Sequence, residues 1–393
     1  MTIVNQSPTD PAFVQNPYPF YASTRARGDL IHWQDYGMMA AFSHTAVHTL
    51  LRDKRLGRAI PAEKERAHAS HLDPFYELEA HSMLELEAPR HTRLRSLVLR
   101  AFTSRKIKTL STEIAQLSHE LMAAMPRDDC DILRSFCTPL PVIIIARLLG
   151  VPEEMAPDLL RWSNQMVAMY QANRTRQTED AAAAAATDFS HFMRGYIDTR
   201  RSRPADDLIT HLIAAEEEGE KLSADELITT CILLLNAGHE ATVHSLGNGL
   251  KTLLEHKTSS ASLTPERIGA TVEEILRYDP PLHMFTRYVY EDAEILGHAF
   301  KRSDEVALML GAAGRDPAVW DRPDNFIPDR TLKAHLAFGG GVHFCVGAPL
   351  ARLELCTALP IVFERLPNLR LAETPSYGDT YHFHGLSRLM VAR

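Results

Sequence analysis

A cysteine set among glycines near the C-terminus constrains this chain more than any other feature of its sequence. Residues 338–347 read Phe-Gly-Gly-Gly-Val-His-Phe-Cys-Val-Gly, and an apolar, helix-forming run over residues 348–363 follows directly. Glycine has no Cβ, so the backbone of such a loop can pass close to a flat ligand. A helix that begins just after Cys345 directs its positive N-terminal end at the sulfur and favours the thiolate form.

A thiolate in this setting suits the axial position on a haem iron, where it directs electron density onto the metal and favours cleavage of dioxygen. The backbone N–H groups of Val346 and Gly347 are available to the sulfur, and Phe338 would keep water away from it. The alternative is a buried free cysteine in a glycine-rich turn. Because the pattern F-G-x-G-x-x-x-C-x-G arises by chance in such a chain with a probability on the order of 10⁻⁴, the haem-ligand interpretation is preferred.

Composition indicates an ordinary globular protein. The chain has 393 residues, of which 45% are hydrophobic and 23% charged, and it contains no Pro/Gly/Ser linker and no repeat. We therefore expect a single domain over residues 1–393. The net charge of −8 gives no indication of nucleic-acid binding.

The cysteines and the hydropathy of the chain indicate the cellular compartment in which the protein is found. The five cysteines are odd in number and irregular in spacing, which argues against a disulfide framework or a zinc site and fits a reducing compartment. The first 16 residues are polar and do not resemble a signal peptide, and no apolar run reaches the length of a membrane span. These features predict a cytoplasmic protein, which we expect to be a monomer.

Helical patterns dominate the rest of the sequence, so the predicted fold class is mainly α with small β sheets. Residues 57–86 read as a long, charged loop of the kind that often forms a lid. Strand-like segments span residues 30–42, 287–307 and 369–393; a basic helix is predicted over 90–102, and an alanine-rich helix around 181–196.

The longest predicted helix spans Ser223–Glu255, where Ser223 and Glu226 form a capping box. It is apolar nearly all round before Gly238, which is typical of a helix buried in a large protein. A glycine at that position either admits a flat ligand close to the backbone or allows a helix–helix contact at Ala237 and Gly238. The sequence leaves both interpretations open.

A second motif is the E-x-x-R of Glu274 and Arg277, whose spacing places both charges on one helix face. Alone it indicates a surface salt bridge. It is followed by Tyr-Asp-Pro-Pro at 278–281 and by Phe-Ile-Pro-Asp-Arg at 326–330.

These motifs, in this order, resemble those of a soluble bacterial cytochrome P450, and the resemblance extends from Asn16 to Arg393. It implies a cytochrome P450-like fold with haem b between the long central helix and the loop of Cys345. It also implies a monooxygenase that inserts one oxygen atom of O2 into a small to medium organic substrate. Electrons would come from a ferredoxin and its reductase, because the haem domain occupies the whole chain.

The resemblance also implies roles for individual residues. Cys345 would be the iron ligand, and arginines would bind the haem carboxylates because their charge is permanent and their geometry bidentate. The haem-binding set would be His91, Arg95, Arg287, His343, Phe338, Gly339, Gly347, Ala237 and Gly238. A buried charge network of Glu274, Arg277 and Arg330 would brace the ligand loop without taking part in the chemistry.

The central helix departs from the family pattern A/G-G-x-D/E-T-T/S, since this chain reads Ala-Gly-His-Glu-Ala-Thr at 237–242. Glu240, Ala241 and Thr242 would form the catalytic set. Ala241 replaces a threonine that normally positions water for proton delivery. A substrate hydroxyl, or waters held by Glu240 and by carbonyls near Ala237, would take its place. Thr242 is a weaker candidate because one residue turns a helix by about 100°.

The substrate pocket and the partner surface are also inferred by resemblance. The lid would combine residues 57–86 with 162–170. The predicted pocket residues are Leu234, Ala237, Gly238, Ala241, Leu282, His283, Met284, Phe285, Phe383 and His384. A basic surface suggests docking of an acidic ferredoxin; the alternative is a solvated helix face. Its residues are Arg93, Arg100, Arg105, Lys106, Lys108 and Arg352.

Two other functions remain open. Ala241 motivates a family member that uses peroxide or that performs a reaction without oxygenation. A haem-binding protein without turnover is the alternative from a different class.

Overall fold

The computed structural model describes residues 2–170, 174–215, 221–331, 333–379 and 383–393, and of Ser104 and Arg105 it describes only the backbone. The chain forms two compact units. The first, called the sheet unit, comprises Met1–Gly57, Ile114–Cys137 and Ala241–Arg393. The second, called the helical unit, comprises Arg58–Glu113 and Thr138–Glu240.

The sheet unit contains every strand of the described residues. The strands are β1 Ile3–Val4, β2 Leu30–Trp33, β3 Met38–Ala41, β4 Leu56–Gly57, β5 Cys130–Asp131, β6 Met284–Val289, β7 Ala293–Ile295, β8 His298–Phe300, β9 Glu305–Met309, β10 Arg370–Leu371, β11 Ser376–Tyr377, β12 Leu386–Arg388 and β13 Met390–Ala392. A six-stranded sheet has the order β1-β2-β3-β9-β6-β4, and β10, β13 and β5 form a three-stranded sheet. The remaining strands form two hairpins, β7–β8 and β11–β12.

The large sheet is mixed. β3 pairs in parallel with β9, with Ala40 opposite Ala307, and β9 pairs antiparallel with β6. Buried side chains line both faces of these central strands, as in Val306, Ala307 and Leu308, which have 0% exposure. The run of consecutive apolar residues therefore reflects a strand that is covered on both sides.

Six helices of the described residues lie wholly within the sheet unit. They are α1 Pro11–Gln15, α2 Tyr18–Arg25, α3 His44–Leu50, α12 Ile268–Tyr278, α13 Leu310–Ala313 and α14 Ala348–Arg365. Short turns of 3-10 helix span Ser260–Leu263 and Gly341–His343, and a π-helical turn spans Leu133–Cys137.

The helical unit is built from helices around a core in which Trp162 packs on Phe189 with ring centroids 5.1 Å apart. Its helices are α4 Asp73–Glu79, α5 Arg90–Ala101, α7 Pro139–Leu149, α8 Ala156–Val167, α9 Arg176–Ser202 and α10 Leu208–Ala214, with 3-10 turns at Ser70–Leu72, Glu153–Met155 and Ala168–Tyr170. Two long helices, α6 Ser104–Ala124 and α11 Ala224–Glu255, run from one unit into the other.

Most sequence-based expectations of local structure are confirmed. The central helix α11 begins at the predicted capping box, where the amide of Glu226 donates to Ser223 Oγ at 3.2 Å and the amide of Ser223 donates to Glu226 Oε2 at 3.0 Å. The alanine-rich helix predicted around residues 181–196 is confirmed as part of α9, in which Phe189 and Met193 are buried.

The prediction of an unbroken loop over residues 57–86 is wrong. Residues 73–79 form α4, which begins with Asp73 and Pro74 and buries Phe75 and Leu78. Aspartate in the first turn and proline near the helix start both favour a helix N-terminus. The signal was present, but a helix of seven residues has too few turns to show a clear period.

Across the described ranges, no helix combines the length and the apolar character needed to cross a membrane.

Candidate functional site

The loop before α14 has a backbone that only glycine tolerates at two positions. Gly339 and Gly341 have φ angles of 71° and 67°, in the left-handed region. A Cβ at Gly341 would lie 2.3 Å from the carbonyl oxygen of Leu51, and one at Gly339 would lie 3.1 Å from the ring of Phe285. The glycines therefore allow the loop to pack tightly between α3 and β6.

Cys345 sits at the end of this loop with an exposed side chain, and it forms no disulfide. Its amide donates to the carbonyl oxygen of Phe338 at 3.1 Å, which folds the loop back on itself. Helix α14 begins three residues further on, at Ala348. A Cβ at Gly347 would lie 3.8 Å from Sγ, so the main chain of the helix start passes next to the sulfur. An accessible thiol at a helix N-terminus fits a thiolate ligand to haem iron.

Arg352, near the start of α14, links this helix to α12. Its Nε and Nη2 donate to the two carboxylate oxygens of Glu273 at 2.5 and 3.0 Å, and its guanidinium lies 4.5 Å from the ring centroid of Phe338. His335 lies 3.0 Å from the same carboxylate. Burial opposes ionisation of Glu273, but hydrogen bonds from His335 and Arg352 prevail and lower its pKa to about 2. Sequence reasoning missed this bridge because nothing in the sequence pairs residues 79 positions apart.

The structure brings together Glu274, Arg277 and Arg330. Arg277 donates from Nε and Nη2 to Glu274 at 2.7 and 2.8 Å, and Arg330 Nε lies 3.0 Å from Oε2 of the same carboxylate. Glu274 and Arg277 are 3% and 2% exposed. Arg277 Nη1 also donates to the carbonyls of Gly314 and Pro323, so the buried guanidinium is well satisfied.

The other predicted haem contacts fall in both units. In the sheet unit, Arg287 is 3% exposed and donates to the carbonyl of Thr286 at 2.7 Å, and His343 ends the 3-10 turn two residues before Cys345. In the helical unit, His91 and Arg95 lie one turn apart on α5, where that spacing places both on one helix face.

The sequence left open whether Ala237 and Gly238 make room for a flat ligand or for a neighbouring helix. The structure gives these two residues different surroundings. A Cβ at Gly238 would meet Ile145 of α7 at 3.2 Å, so this glycine allows helix packing, whereas Ala237 is exposed. Glu240 is partly exposed beside buried His239, whose Nε2 lies 3.5 Å from the Glu240 carboxylate. His239 donates from Nδ1 to the carbonyl of Leu235 at 2.8 Å, which fixes its ring.

The other two residues of the predicted catalytic set, Ala241 and Thr242, belong to the sheet unit, because the boundary between the two units falls after Glu240. Ala241 is partly exposed, and Thr242 is 4% exposed. Ser245 donates from Oγ to the carbonyl oxygen of Ala241 at 2.8 Å. The sequence motifs did not identify Ser245 or His239 as residues of the site.

The predicted pocket residues differ in burial and in the residues that they contact. Leu282 pairs in an isolated bridge with Phe383, whose ring lies 5.8 Å from that of His244. Phe285 is partly buried against the ligand loop, Met284 is buried in the large sheet, and Leu234 is 9% exposed in the helical unit. His283 has 0% exposure, so in this conformation its side chain offers no surface to a substrate.

His283 belongs instead to a closed polar cluster around Asp279. The carboxylate accepts hydrogen bonds from the hydroxyls of Tyr18 at 2.6 Å and Tyr377 at 2.5 Å. His384 stacks on Tyr377 with centroids 3.7 Å apart, and its Nε2 lies 3.4 Å from Asp279. Burial opposes ionisation of Asp279, but His384, Lys251, His283 and the hydrogen bond from Tyr18 lower its pKa to about 2. Burial lowers the pKa of His384 to about 4 and that of His283 well below its usual value.

Several residues of the predicted basic surface are paired within their own unit. In the helical unit, Arg93 donates to Glu226, and Lys106 Nζ lies 3.2 Å from Asp206. Arg100 and Lys108 are exposed, and the side chain of Arg105 lies outside the described residues. Arg352 is bound by Glu273 in the sheet unit. These ion pairs reduce the net positive charge that the sequence had suggested.

Comparison with known proteins identifies the class that this fold and loop define. The family model described as Cytochrome P450 matches residues 31–267 and 268–370. "Polyketide biosynthesis cytochrome P450 PksS" of Bacillus subtilis is 38% identical over 351 residues, which cover 87% of this chain and 85% of that protein. "Cytochrome P450 monooxygenase PikC" of Streptomyces venezuelae is 34% identical over 378 residues, covering 92% and 87%.

Among solved structures, P450BioI in complex with an acyl carrier protein ligated to hexadec-9Z-enoic acid superposes with a TM-score of 0.91 at 32% identity, covering 97% of this chain and 99% of that chain. The chain belongs to the cytochrome P450 family. It is therefore a haem b-dependent monooxygenase with a mainly α fold and small sheets.

Proposed function

We propose that Cys345 supplies the thiolate that would hold the haem iron in this enzyme. The single observation that carries the proposal is an exposed thiol at the start of α14, in a loop whose tight turns admit only glycine at Gly341. The amides of the helix start would stabilise the negative sulfur. When bound, haem supplies the iron on which dioxygen is reduced so that one atom enters the substrate.

Four cationic or titratable side chains are proposed to bind the haem carboxylates. Arg287 and His343 belong to the sheet unit, and His91 and Arg95 belong to the helical unit. Fixed cations form charge-assisted hydrogen bonds with carboxylates, which are stronger than hydrogen bonds between neutral groups. These residues would therefore determine the orientation of the cofactor.

The remaining residues of the haem-binding set are proposed to shape the space around the cofactor. Ala237, a small exposed residue of α11, would leave room along the helix, and Gly238, where the missing side chain makes way for Ile145 of α7, would add only its main chain. Phe338, Gly339 and Gly347 would shape the ligand loop. The charge network would stabilise the segment that leads to this loop; its members are Glu274, Arg277 and Arg330.

Proton delivery is proposed to rely on Glu240 rather than on a hydroxyl at position 241. His239 lies 3.5 Å from the Glu240 carboxylate and is itself fixed by the carbonyl of Leu235. Glu240 would hold a water, and a hydroxyl of the substrate or a second water would pass the proton onward. The buried Thr242 is a less suitable donor.

We further propose that electrons come from an acidic ferredoxin and that the substrate is a small to medium organic molecule. Exposed Arg100 and Lys108 offer positive charge on the helical unit. Two of the relatives, a cytochrome P450 of polyketide biosynthesis and a P450 solved with an acyl carrier protein ligated to a fatty acid, support a largely aliphatic substrate.

Turnover of the haem-loaded protein tests the proposal. With ferredoxin, its reductase, NAD(P)H and isotopically labelled dioxygen, we expect a product that contains one labelled oxygen atom. Haem binding without product from any electron source would overturn it in favour of a non-catalytic haem protein. Ala241 supports a second candidate, a peroxide-using enzyme, which faster turnover with hydrogen peroxide than with ferredoxin would establish.

A further inference from the structure

Hydrogen bonding does not account for one nitrogen of the cluster around Asp279. His384 is 6% exposed, and its Nε2 has no hydrogen-bond partner among the described residues. The atom lies 3.4 Å from Asp279 Oδ1 without the alignment that a hydrogen bond requires. Leaving a buried polar atom unpaired costs about 1–3 kcal/mol, so such an atom in a native fold points to a bound water or ion.

The unpaired nitrogen faces two other groups that can bind a metal. Asp279 and His283 are 3% and 0% exposed, and both belong to the sheet unit, as does His384. Their ligand atoms, one carboxylate oxygen and two imidazole nitrogens, all lie within 4.8 Å of one another. Two imidazoles and one carboxylate form a ligand set that suits zinc and other divalent transition metals.

The separations between these atoms approach those of a tetrahedral zinc site. Ligand atoms that lie about 2.0–2.1 Å from Zn²⁺ are about 3.3–3.5 Å apart at the tetrahedral angle. His384 Nε2 lies 3.4 Å from Asp279 Oδ1, and the Tyr18 hydroxyl lies 3.4 Å from His283 Nε2. The Tyr18 hydroxyl is only 2.6 Å from Asp279 because it donates a hydrogen bond there. Small rotations of these side chains bring four ligand atoms around one ion.

Neighbouring groups hold the ligands in place, as the outer shell of a metal site does. The Nδ1 atom of His283 lies 3.0 Å from the hydroxyl of Tyr21, so Nε2 is the ligand atom of this ring. Asn248 donates from Nδ2 to the carbonyl oxygen of Asp279 at 3.3 Å and to that of His384 at 2.8 Å. Such hydrogen bonds determine the orientation of metal ligands.

The surroundings favour a structural ion over a catalytic one. Calcium and magnesium prefer ligand sets made of oxygen, whereas imidazole favours transition metals. A catalytic centre keeps an open coordination position. Here the carboxylate and both imidazoles are buried, and the Tyr18 hydroxyl occupies the remaining side. Zinc has no redox chemistry and adopts closed tetrahedral sites of this kind.

We propose that Asp279, His283 and His384 bind a structural Zn²⁺, with the hydroxyl oxygen of Tyr18 as the fourth ligand. The ion replaces the proton that Tyr18 donates to Asp279, and this proton is released to solvent as the metal binds. Because the ligands are buried, zinc is incorporated while the chain folds. The site is separate from the loop of Cys345, and the proposal does not depend on the proposed function.

Such an ion joins three distant parts of the sheet unit. Tyr18 lies on α2, Asp279 and His283 lie between α12 and β6, and His384 lies shortly before β12. A cross-link that closes long loops restricts the unfolded chain and so stabilises the fold. It also fixes the segment that carries Phe383, a predicted pocket residue next to His384. Zinc thereby shapes the pocket without taking part in the reaction.

Zinc analysis of the haem-loaded protein tests the site. The protein is produced in medium supplemented with zinc and, for comparison, in medium depleted of zinc. Elemental analysis should find about one zinc ion per chain in the first preparation. X-ray absorption at the zinc edge, which haem iron does not disturb, should show only nitrogen and oxygen neighbours, at about 2.0–2.1 Å. The zinc-depleted protein should unfold at a lower urea concentration.

Two substitutions remove ligands and preserve the shape of the site. H384F keeps a ring to stack on Tyr377, and D279N keeps an oxygen that accepts a hydrogen bond from Tyr18. Each should lower the zinc content by about tenfold or more. H191Q, at an exposed position, should leave the zinc content unchanged. Haem content and circular dichroism show whether each variant is folded, and the absorption spectrum of the parent protein decides the question if a variant is not.

Three results would overturn the proposal. The first is the absence of zinc from protein produced in the supplemented medium. The second is a sulfur neighbour at about 2.3 Å from the metal, which identifies adventitious zinc on a cysteine. The third is a zinc content that persists in folded H384F and D279N, which would place the ion at other residues.

Discussion

Ser245 donates its hydroxyl to the carbonyl oxygen of Ala241 at 2.8 Å, one turn earlier on the central helix. In an α-helix the amide of residue 245 donates to this carbonyl as well, so both lone pairs of the oxygen are engaged. The main chain at Ala241 is therefore a poor site for an ordered water. Glu240, the carbonyls nearer Ala237 and the substrate itself remain as the groups that can position one.

This relationship makes Ala241→Thr informative. The new hydroxyl should raise the fraction of NAD(P)H used for product with substrates that lack a hydroxyl, by about twofold to tenfold. Substrates that carry a well-placed hydroxyl should gain nothing. The measurement is the ratio of product formed to NAD(P)H consumed, and Ala241→Val, which has the shape of threonine but no hydroxyl, is the control. Equal coupling in all three proteins would remove the basis for substrate-assisted proton delivery.

Cys345→Ser should abolish the spectrum of a thiolate-ligated haem. A serine hydroxyl is a harder and far weaker ligand than a thiolate, so the carbon monoxide difference spectrum of the reduced protein should lose its thiolate-type Soret band. Cys356→Ser is the matched control, because Cys356 lies on α14 and is partly buried. An unchanged spectrum in Cys345→Ser would show that the ligand is another residue.

Glu274→Gln should destabilise the sheet unit. The substitution leaves the buried guanidinium of Arg277 without its anionic partner, and breaking a buried pair in this way costs about 3–5 kcal/mol. Urea unfolding followed by circular dichroism measures the change, with Glu294→Gln at an exposed position of β7 as the control. A loss of no more than about 0.5 kcal/mol, as for a surface change, would contradict the buried role of the network.

The cluster around Asp279 should make stability sensitive to mild acid. Burial lowers the pKa of His384 from 6.5 to about 4, so on acidification the unfolded chain takes up this proton first. Stability is therefore lost as the pH falls from 6.5 towards 4. The pKa of Asp279 is lowered from 3.8 to about 2, so this group reduces the stability of the fold further only as the pH falls below 3.8.

His384→Phe keeps a ring to stack on Tyr377 but removes the titration. Between about pH 7 and pH 5, it should lose about 2 kcal/mol less of its unfolding free energy than the parent protein. Urea unfolding at the two pH values gives the difference, and the exposed His191→Gln serves as the control. An identical pH dependence in all three proteins would exclude His384 as the source.

Local patterns predicted much of the fold. The capping box at Ser223 and Glu226 located the start of α11 because both partners lie within one turn of sequence. The glycine loop before Cys345 was recognisable because its residue types are rare and its spacing is rigid. The short helix α4 was missed, since its seven residues offer too little periodicity.

Side-chain contacts between residues far apart in the chain could not be predicted from the sequence. Tyr18 donates to Asp279 across 261 positions, and His384 reaches the same carboxylate from the C-terminal region. His283 was expected in a substrate pocket from the family resemblance, but the fold turns it towards Tyr18 and Tyr21. Such contacts depend on tertiary packing, which no local pattern encodes.

The central helix α11 crosses the boundary between the units at the peptide that joins Glu240 to Ala241. Inserting or deleting one residue within such a helix would turn all later residues by about 100° about its axis and shift them by about 1.5 Å. Point substitutions alter one side chain, but a change of length would put Ala241 and Ser245 out of phase with Glu240. Within this helix a single substitution is therefore a local change, whereas an insertion or deletion changes the phase of every residue that follows.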